Sequence, residues 1–217
     1  MDGPARLAHW CEFYLPTPCL TSAQSARSHT PPAVVFQEKW RQAFTLLRQV
    51  RALGITVTAV VVEAEFGDCT PLRSTLHTLG LPYTVGVSSH LTVWLGTPRT
   101  ERPPRRTGPG RFASRRRLAP GVTPTKTRAQ AAQTAARAWR AVSWRSGTQA
   151  PWWARFWACR VSSAHDWRTR HVAPAGWLRC QRERGPTPKT KYYFVHLPVT
   201  ASLKAFFRLA YQRWATE

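Results

Sequence analysis

The run Ile55-Thr56-Val57-Thr58-Ala59-Val60-Val61-Val62 constrains this chain more than any other stretch. Every residue in it except Ala59 is β-branched, stiff at χ1 and suited to a pleated surface, so the run reads as a strand buried in a sheet. Before it, Phe36, Trp40, Ala43, Phe44, Leu47 and Val50 recur at three- and four-residue steps with charges between them. That spacing predicts an amphipathic helix, which Gly54 stops. After it, Thr70-Pro71 opens a short helix through about residue 79, closed by Gly80, and residues 82–88 and 91–95 read as two strands. Helix, strand, helix, strand in this order predicts an α/β fold.

The flanking segments differ in kind. Residues 1–35 are rich in Pro, Ser and Thr and read as loop, with one short strand at Phe13-Tyr14-Leu15-Pro16. Residues 97–126 are dominated by Arg and Pro with little aliphatic material, and read as a basic loop. A helix is expected over 128–142, followed by short aromatic strands at VSWR, ARFWACRV, GWLRCQRE and KYYFVHL. Trp152, Trp153 and Trp157 read as core of that β-rich stretch, with base stacking as the alternative. A last amphipathic helix starts after Thr200, with Leu203, Phe206, Phe207, Leu209 and Ala210 on its buried side.

Charge indicates the partner. The chain carries 32 Lys and Arg against 10 Asp and Glu, a net charge of +22, and Arg far outnumbers Lys. Such a balance calls for a polyanion, and the planar Arg fork suits phosphate. Arg115-Arg116-Arg117 is the densest basic run and is read as a phosphate contact. With 43% hydrophobic and 12% aromatic residues, the chain is no disordered basic tail. No apolar run approaches a bilayer span and MDGPARLAHW has no leader-like core, so a cytoplasmic protein without a membrane partner is expected. Cys11, Cys19, Cys69, Cys159 and Cys180 form no C-x-x-C pair, and His165 and His171 have no cysteine near them to complete a zinc set.

The acids are few enough to single out. Glu63, Glu65 and Asp68 follow directly on the β-branched run, and carboxyl ends of strands are where α/β sheets place ligands. Carboxylates there, with Glu217, have the chemistry to hold Mg²⁺. On spacing alone the plainer reading is favoured, with Asp68 assisting the next helix and Glu217 solvated.

The stretch VVVEAEFGD followed by LRSTLHTLGLPYTVGVSSHLTVWLGTP, then VSWRSGTQAPWWARFWACRVSSAHDW, KYYFVHLP and finally LAYQRWATE, resembles bacterial insertion-sequence transposases of the DDE type. The resemblance covers about residues 36–217 and implies a ribonuclease H-like α/β fold, incomplete in this chain, with a β-rich, basic insertion between the second and third acidic positions. It divides the chain into a loop-rich segment 1–35, a core part 36–96, the basic loop 97–126, the insertion 127–199 and the start of a catalytic helix 200–217. It implies DNA strand cleavage and joining with Mg²⁺ or Mn²⁺, on transposon ends, by a homo-oligomer located at the nucleoid. Glu63 falls on the second catalytic and metal-binding acid, where the family has Asp, and Glu217 on the third. Tyr211, Arg213 and Trp214 match the segment before that Glu, and Arg213 joins Arg115, Arg116 and Arg117 as an implied DNA contact. The family's first Asp has no counterpart, since Asp2 stands in a different context, and Glu217 ends the sequence. The expectation is therefore a relic truncated at both ends and catalytically inactive, its first strand left as an unpaired edge. A non-catalytic nucleic-acid-binding protein using the basic insert is the alternative.

Overall fold

A computed structural model describes residues 26–31, 34–102, 108, 117–146, 151–165, 175–183, 185 and 187–197. The predicted strand at 13–16 and the helix after Thr200 lie outside these residues. The chain divides into two compact units between Thr58 and Ala59.

The described part of the first unit is dominated by one helix, α1 (Lys39–Ala52). Phe44 is its buried residue, and Trp40 meets that ring edge-on at 6.0 Å. Gly54, at φ +75°, ends the helix as expected. Its N–H donates to the Arg51 carbonyl at 3.0 Å and that of Ile55 to the Val50 carbonyl at 3.3 Å, the paired bonds of a Schellman motif.

The second unit is a mixed sheet with helices. Its elements are β1 (Val60–Val62), α2 (Ala64–Gly67), α3 (Thr70–Thr78), β2 (Tyr83–Val87), β3 (Thr92–Leu95), β4 (Thr100–Glu101), β5 (Arg117–Leu118), β6 (Thr125–Lys126), α4 (Thr127–Gln133), β7 (Arg140–Ser146), β8 (Pro151–Ser163), β9 (Gly176–Arg182) and β10 (Thr190–His196). The main sheet runs β1-β2-β10-β9-β8-β3-β6, with β7 also paired to β8, while β4 and β5 form a separate ladder. Only β1 and β2 are parallel; every other described pair is antiparallel. Val85, Val93, Val161, Leu178 and Val195 are fully buried, each such side chain contributing about 1.5–3 kcal/mol.

The expected α/β order holds from 36 to 95, but β1 is shorter than predicted, and so is the helix after the basic loop. Of the run 55–62, only Val60–Val62 enters the ladder. Its partner strand begins at Tyr83, after Pro82, whose carbonyl accepts from the Val60 N–H at 2.9 Å but which has no N–H to extend the pairing. After β1, Ala64–Gly67 forms a single helical turn that carries Glu65. The helix expected over 128–142 stops at Gln133, where Thr134 turns its hydroxyl back to the Gln130 carbonyl at 2.8 Å and takes an extended backbone. Trp139 is buried against Trp157 and under Arg182, so sheet packing overrides the helix propensity of the Ala-rich stretch. Among the described residues β1 ends the sheet.

Candidate active-site cleft

Parallel pairing brings the carboxyl ends of β1 and β2 to one edge, and β10, running the other way, adds its first residues there. The result is a cleft of about 490 Å³ lined by, among others, Val62, Glu63, Gly86, Ser89, Lys191 and Tyr193. Glu63 leaves β1 with extended backbone (φ −73°, ψ 169°), stands at the N-cap position of α2 without a side-chain capping bond, and is exposed. Lys191 stands on the opposite wall, its Nζ 2.7 Å from Glu183 Oε1. Thr84 lines the same cleft with its hydroxyl buried.

The turn carrying Glu63 is held by close backbone approach. A Cβ on Gly67 would overlap the Gly86 carbonyl oxygen, and one on Gly86 would lie 2.7 Å from the Ala64 nitrogen. Only two glycines let α2 rest on β2. Asp68 Oδ1 accepts from the Ser88 N–H at 2.9 Å, and Thr127 Oγ1 donates to the Ser88 carbonyl at 2.9 Å. The loop after β2, including the cleft residue Ser89, is thereby tied to both α2 and α4. Asp68 thus ties the loop, and α3, with Cys69 at its N-cap, has no side-chain capping bond.

Of the described residues singled out in the sequence, Glu63 is the one in the cleft wall. Glu65 lies exposed on α2. Arg117 lies exposed in β5, opposite Glu101 of β4, on the separate ladder. Arg115, Arg116, Arg213 and Glu217 lie outside the described residues. Among the described residues no three His, Cys, Asp or Glu side chains group to hold a metal ion, and Glu63 is the one carboxylate in the cleft wall. Among the described residues a single carboxylate is fewer than a metal pair needs, its two ions lying about 4 Å apart and sharing carboxylate ligands. Trp153, expected in the core, is 38% exposed.

Several polar groups were not foreseen. Arg73 is buried on α3, where its guanidinium donates to the Gly67 carbonyl, to Thr70 Oγ1 at 3.1 Å and to Ser163 Oγ at 3.1 Å, and lies over the Phe194 ring. Burial lowers its pKa from the ordinary value, with Tyr83 and Asp68 acting the other way. Burial likewise pushes the Tyr83 hydroxyl up to about 12, so it stays neutral. Arg179, fully buried on β9, lies between the rings of Tyr193 at 4.2 Å and Phe156 at 5.4 Å. A buried arginine on a strand carries no sequence signature separating it from a surface charge. The thiols of Cys159 and Cys180 are both pushed up by burial, which keeps them protonated and unreactive.

At the other end of β10, the His196 ring meets His77 edge-on at 4.5 Å and stacks on Tyr83 at 5.6 Å. Burial, then the neighbouring His77 and Arg160, lowers the pKa of His196. A histidine depressed in the folded state is protonated more readily in the unfolded chain. It therefore contributes stability above the unfolded pKa near 6.5, which is lost as pH falls below it. The urea midpoint is expected to drop between about pH 7.5 and 5.5, and His196→Gln is expected to flatten that dependence. An unchanged pH profile in the variant would remove His196 as its source.

The sequence model of one protein family, described as DDE superfamily endonuclease, matches residues 5–151. The match includes β1, Glu63, the glycine-seated turn and the basic loop. No curated protein matches the chain.

Proposed function

Because this chain belongs to the DDE superfamily of endonucleases, we propose that its cleft receives a phosphodiester of DNA and that the chain derives from a transposase of the bacterial insertion-sequence type. Members of this superfamily act on DNA and generally depend on divalent metal. The observation that carries the reading is the position of Glu63, at the carboxyl end of a parallel strand and on the wall of a cleft also lined by Lys191. In this reading Glu63 occupies the second acidic position and Glu217 the third. Arg213 and the run Arg115–Arg117 contact the DNA backbone, and segment 127–199 is the insertion between the two acids. A homo-oligomer on paired transposon ends belongs to the same proposal.

Strand cleavage by this chain is proposed to be lost. Glutamate at position 63 carries its carboxylate one methylene farther out than aspartate. A metal pair set about 4 Å apart tolerates little displacement of its ligands. A Mg²⁺ or Mn²⁺ ion would take Glu63 and Glu217 as its ligands and supply Lewis-acid stabilisation of the phosphoryl oxygens. Without that ion, Lys191 and the arginines still bind and orient the backbone by charge.

DNA binding is the direct test. Fluorescence anisotropy on duplex DNA is expected to show affinity falling steeply with salt. Replacing Arg115, Arg116 and Arg117 together by Gln is expected to reduce the log–log slope by about 2–3, at about 0.9 per phosphate contact. Affinity that ignored salt would overturn the polyanion reading.

A further inference from the structure

Antiparallel pairing of β8 with β9 sets Arg155 directly opposite Arg182. Such partners have Cβ atoms about 5 Å apart on the same face, and like charges there repel. On β8, Trp153, Arg155 and Trp157 alternate with Ala154 and Phe156, so the first three share one face while the last two are buried on the other. Cys180, Arg182, Thr190 and Tyr192 continue that same face on β9 and β10. It bears no acid on these strands: Glu183 lies on the opposite face with Lys191. Among the described residues neither Arg155 nor Arg182 makes an ion pair.

The surroundings favour an anion with aromatic bases attached. Arg155 is exposed, flanked two residues away by the exposed indole of Trp153 and by half-buried Trp157. Arg182 lies over the Trp139 ring at 4.3 Å, and Trp139 meets Trp157 at 6.3 Å. Stacking fixes the guanidinium plane of Arg182 and leaves its edge for hydrogen bonding. Exposed Arg128, at the start of α4, adds its positive charge to the surroundings of Tyr192.

We propose that Arg155 and Arg182 form a phosphate clamp for single-stranded DNA, with Trp153 as the adjoining base-stacking surface. An anion between the two guanidiniums turns a repulsive cross-strand pair into a chelating one. Arginines interleaved with aromatics take a strand whose bases are unstacked in preference to a duplex. The clamp lies at the same end of the sheet as the Glu63 cleft, because Thr190 both lines that cleft and pairs with Arg182, but on the face opposite the cleft residues Lys191 and Tyr193. From β1 to β9 is three strand spacings, about 14 Å. The contact does not require Glu63 to be catalytic.

The test is anisotropy with the full chain and a labelled single strand of about 20 nucleotides, alongside its duplex, over a salt series. R155Q/R182Q is expected to weaken single-strand binding about tenfold or more. Its salt slope should shrink by about 1.4, two contacts at about 0.7 each. R140Q removes an exposed charge at Phe156's partner position on the other face, and is expected to stay within about twofold of the parent. If replacing the stacked Arg182 prevents folding, R155Q alone carries the test, with about a threefold loss and a slope smaller by about 0.7. Because a repulsion is removed, R155Q should not lower the thermal midpoint, whereas a structural arginine would lower it. The clamp is overturned if the double variant loses no more affinity than R140Q, and the single-strand assignment if the duplex loses as much as the strand.

Discussion

Gly67→Ala is expected to cost about 3 kcal/mol or more, at the upper end of what overpacking produces and a large part of the stability of an ordinary domain. The added Cβ falls on the Gly86 carbonyl oxygen. This is a backbone atom inside a strand, so no rotamer change relieves the overlap. α2 must lift from β2, and Glu63, the residue before that turn, moves with it. The effect is therefore double: a lower urea midpoint and weaker DNA binding at the cleft even where the chain stays folded. Gly54→Ala makes a useful contrast, since nothing lies within 4 Å of its Cβ and the cost is the left-handed φ alone, about 1 kcal/mol. A Gly67→Ala protein that unfolds at the parent's urea concentration would show that the close approach is absent.

Arg73→Ala is the second large effect, at about 3 kcal/mol. It removes the donors serving the Gly67 carbonyl, Thr70 Oγ1 and Ser163 Oγ, leaving buried acceptors unmatched at about 1–3 kcal/mol for such a group. It also opens a cavity beside Phe194. The burial that lowers the pKa of Arg73 is a desolvation cost, so part of the loss is offset. Arg73→Met separates the terms by restoring volume without donors, and should recover less than half of the loss. Arg73→Lys should not rescue, because a single ammonium does not reproduce a planar fork reaching three acceptors on α2, α3 and β8. Denaturant unfolding of the three variants measures this; equal stability of Arg73→Met and the parent would reduce Arg73 to a space-filler.

Local order was legible in the sequence where local chemistry dictates it. Gly54 and Gly80 stop their helices by taking positive φ, and both ends show the paired bonds of a Schellman motif. The β-branched run marked β1, and the acid that follows it, Glu63, lies in the wall of the cleft. What escaped depends on contacts between distant segments. The length of β1 is set by Pro82, and the end of α4 by Trp139 packing with Trp157 and Arg182. The seat of α2 depends on a meeting of Gly67 with Gly86, two residues that look like ordinary turn and strand glycines until the chain is folded. Lys191 belongs to the cleft only because β10 runs antiparallel to β2, which no motif near KYYFVHL announces. In the same way, Arg155 and Arg182 read as two of many arginines until the β8–β9 register sets them face to face.

Nicking of supercoiled plasmid in Mg²⁺ and in Mn²⁺, by the parent and by Glu63→Ala at matched DNA occupancy, tests most directly whether this DDE-superfamily chain binds DNA without cutting it. The expected result is binding by both proteins and nicking by neither above the no-protein control. Metal-dependent nicking by the parent that disappears in a folded Glu63→Ala variant would contradict that reading and make Glu63 a working catalytic acid.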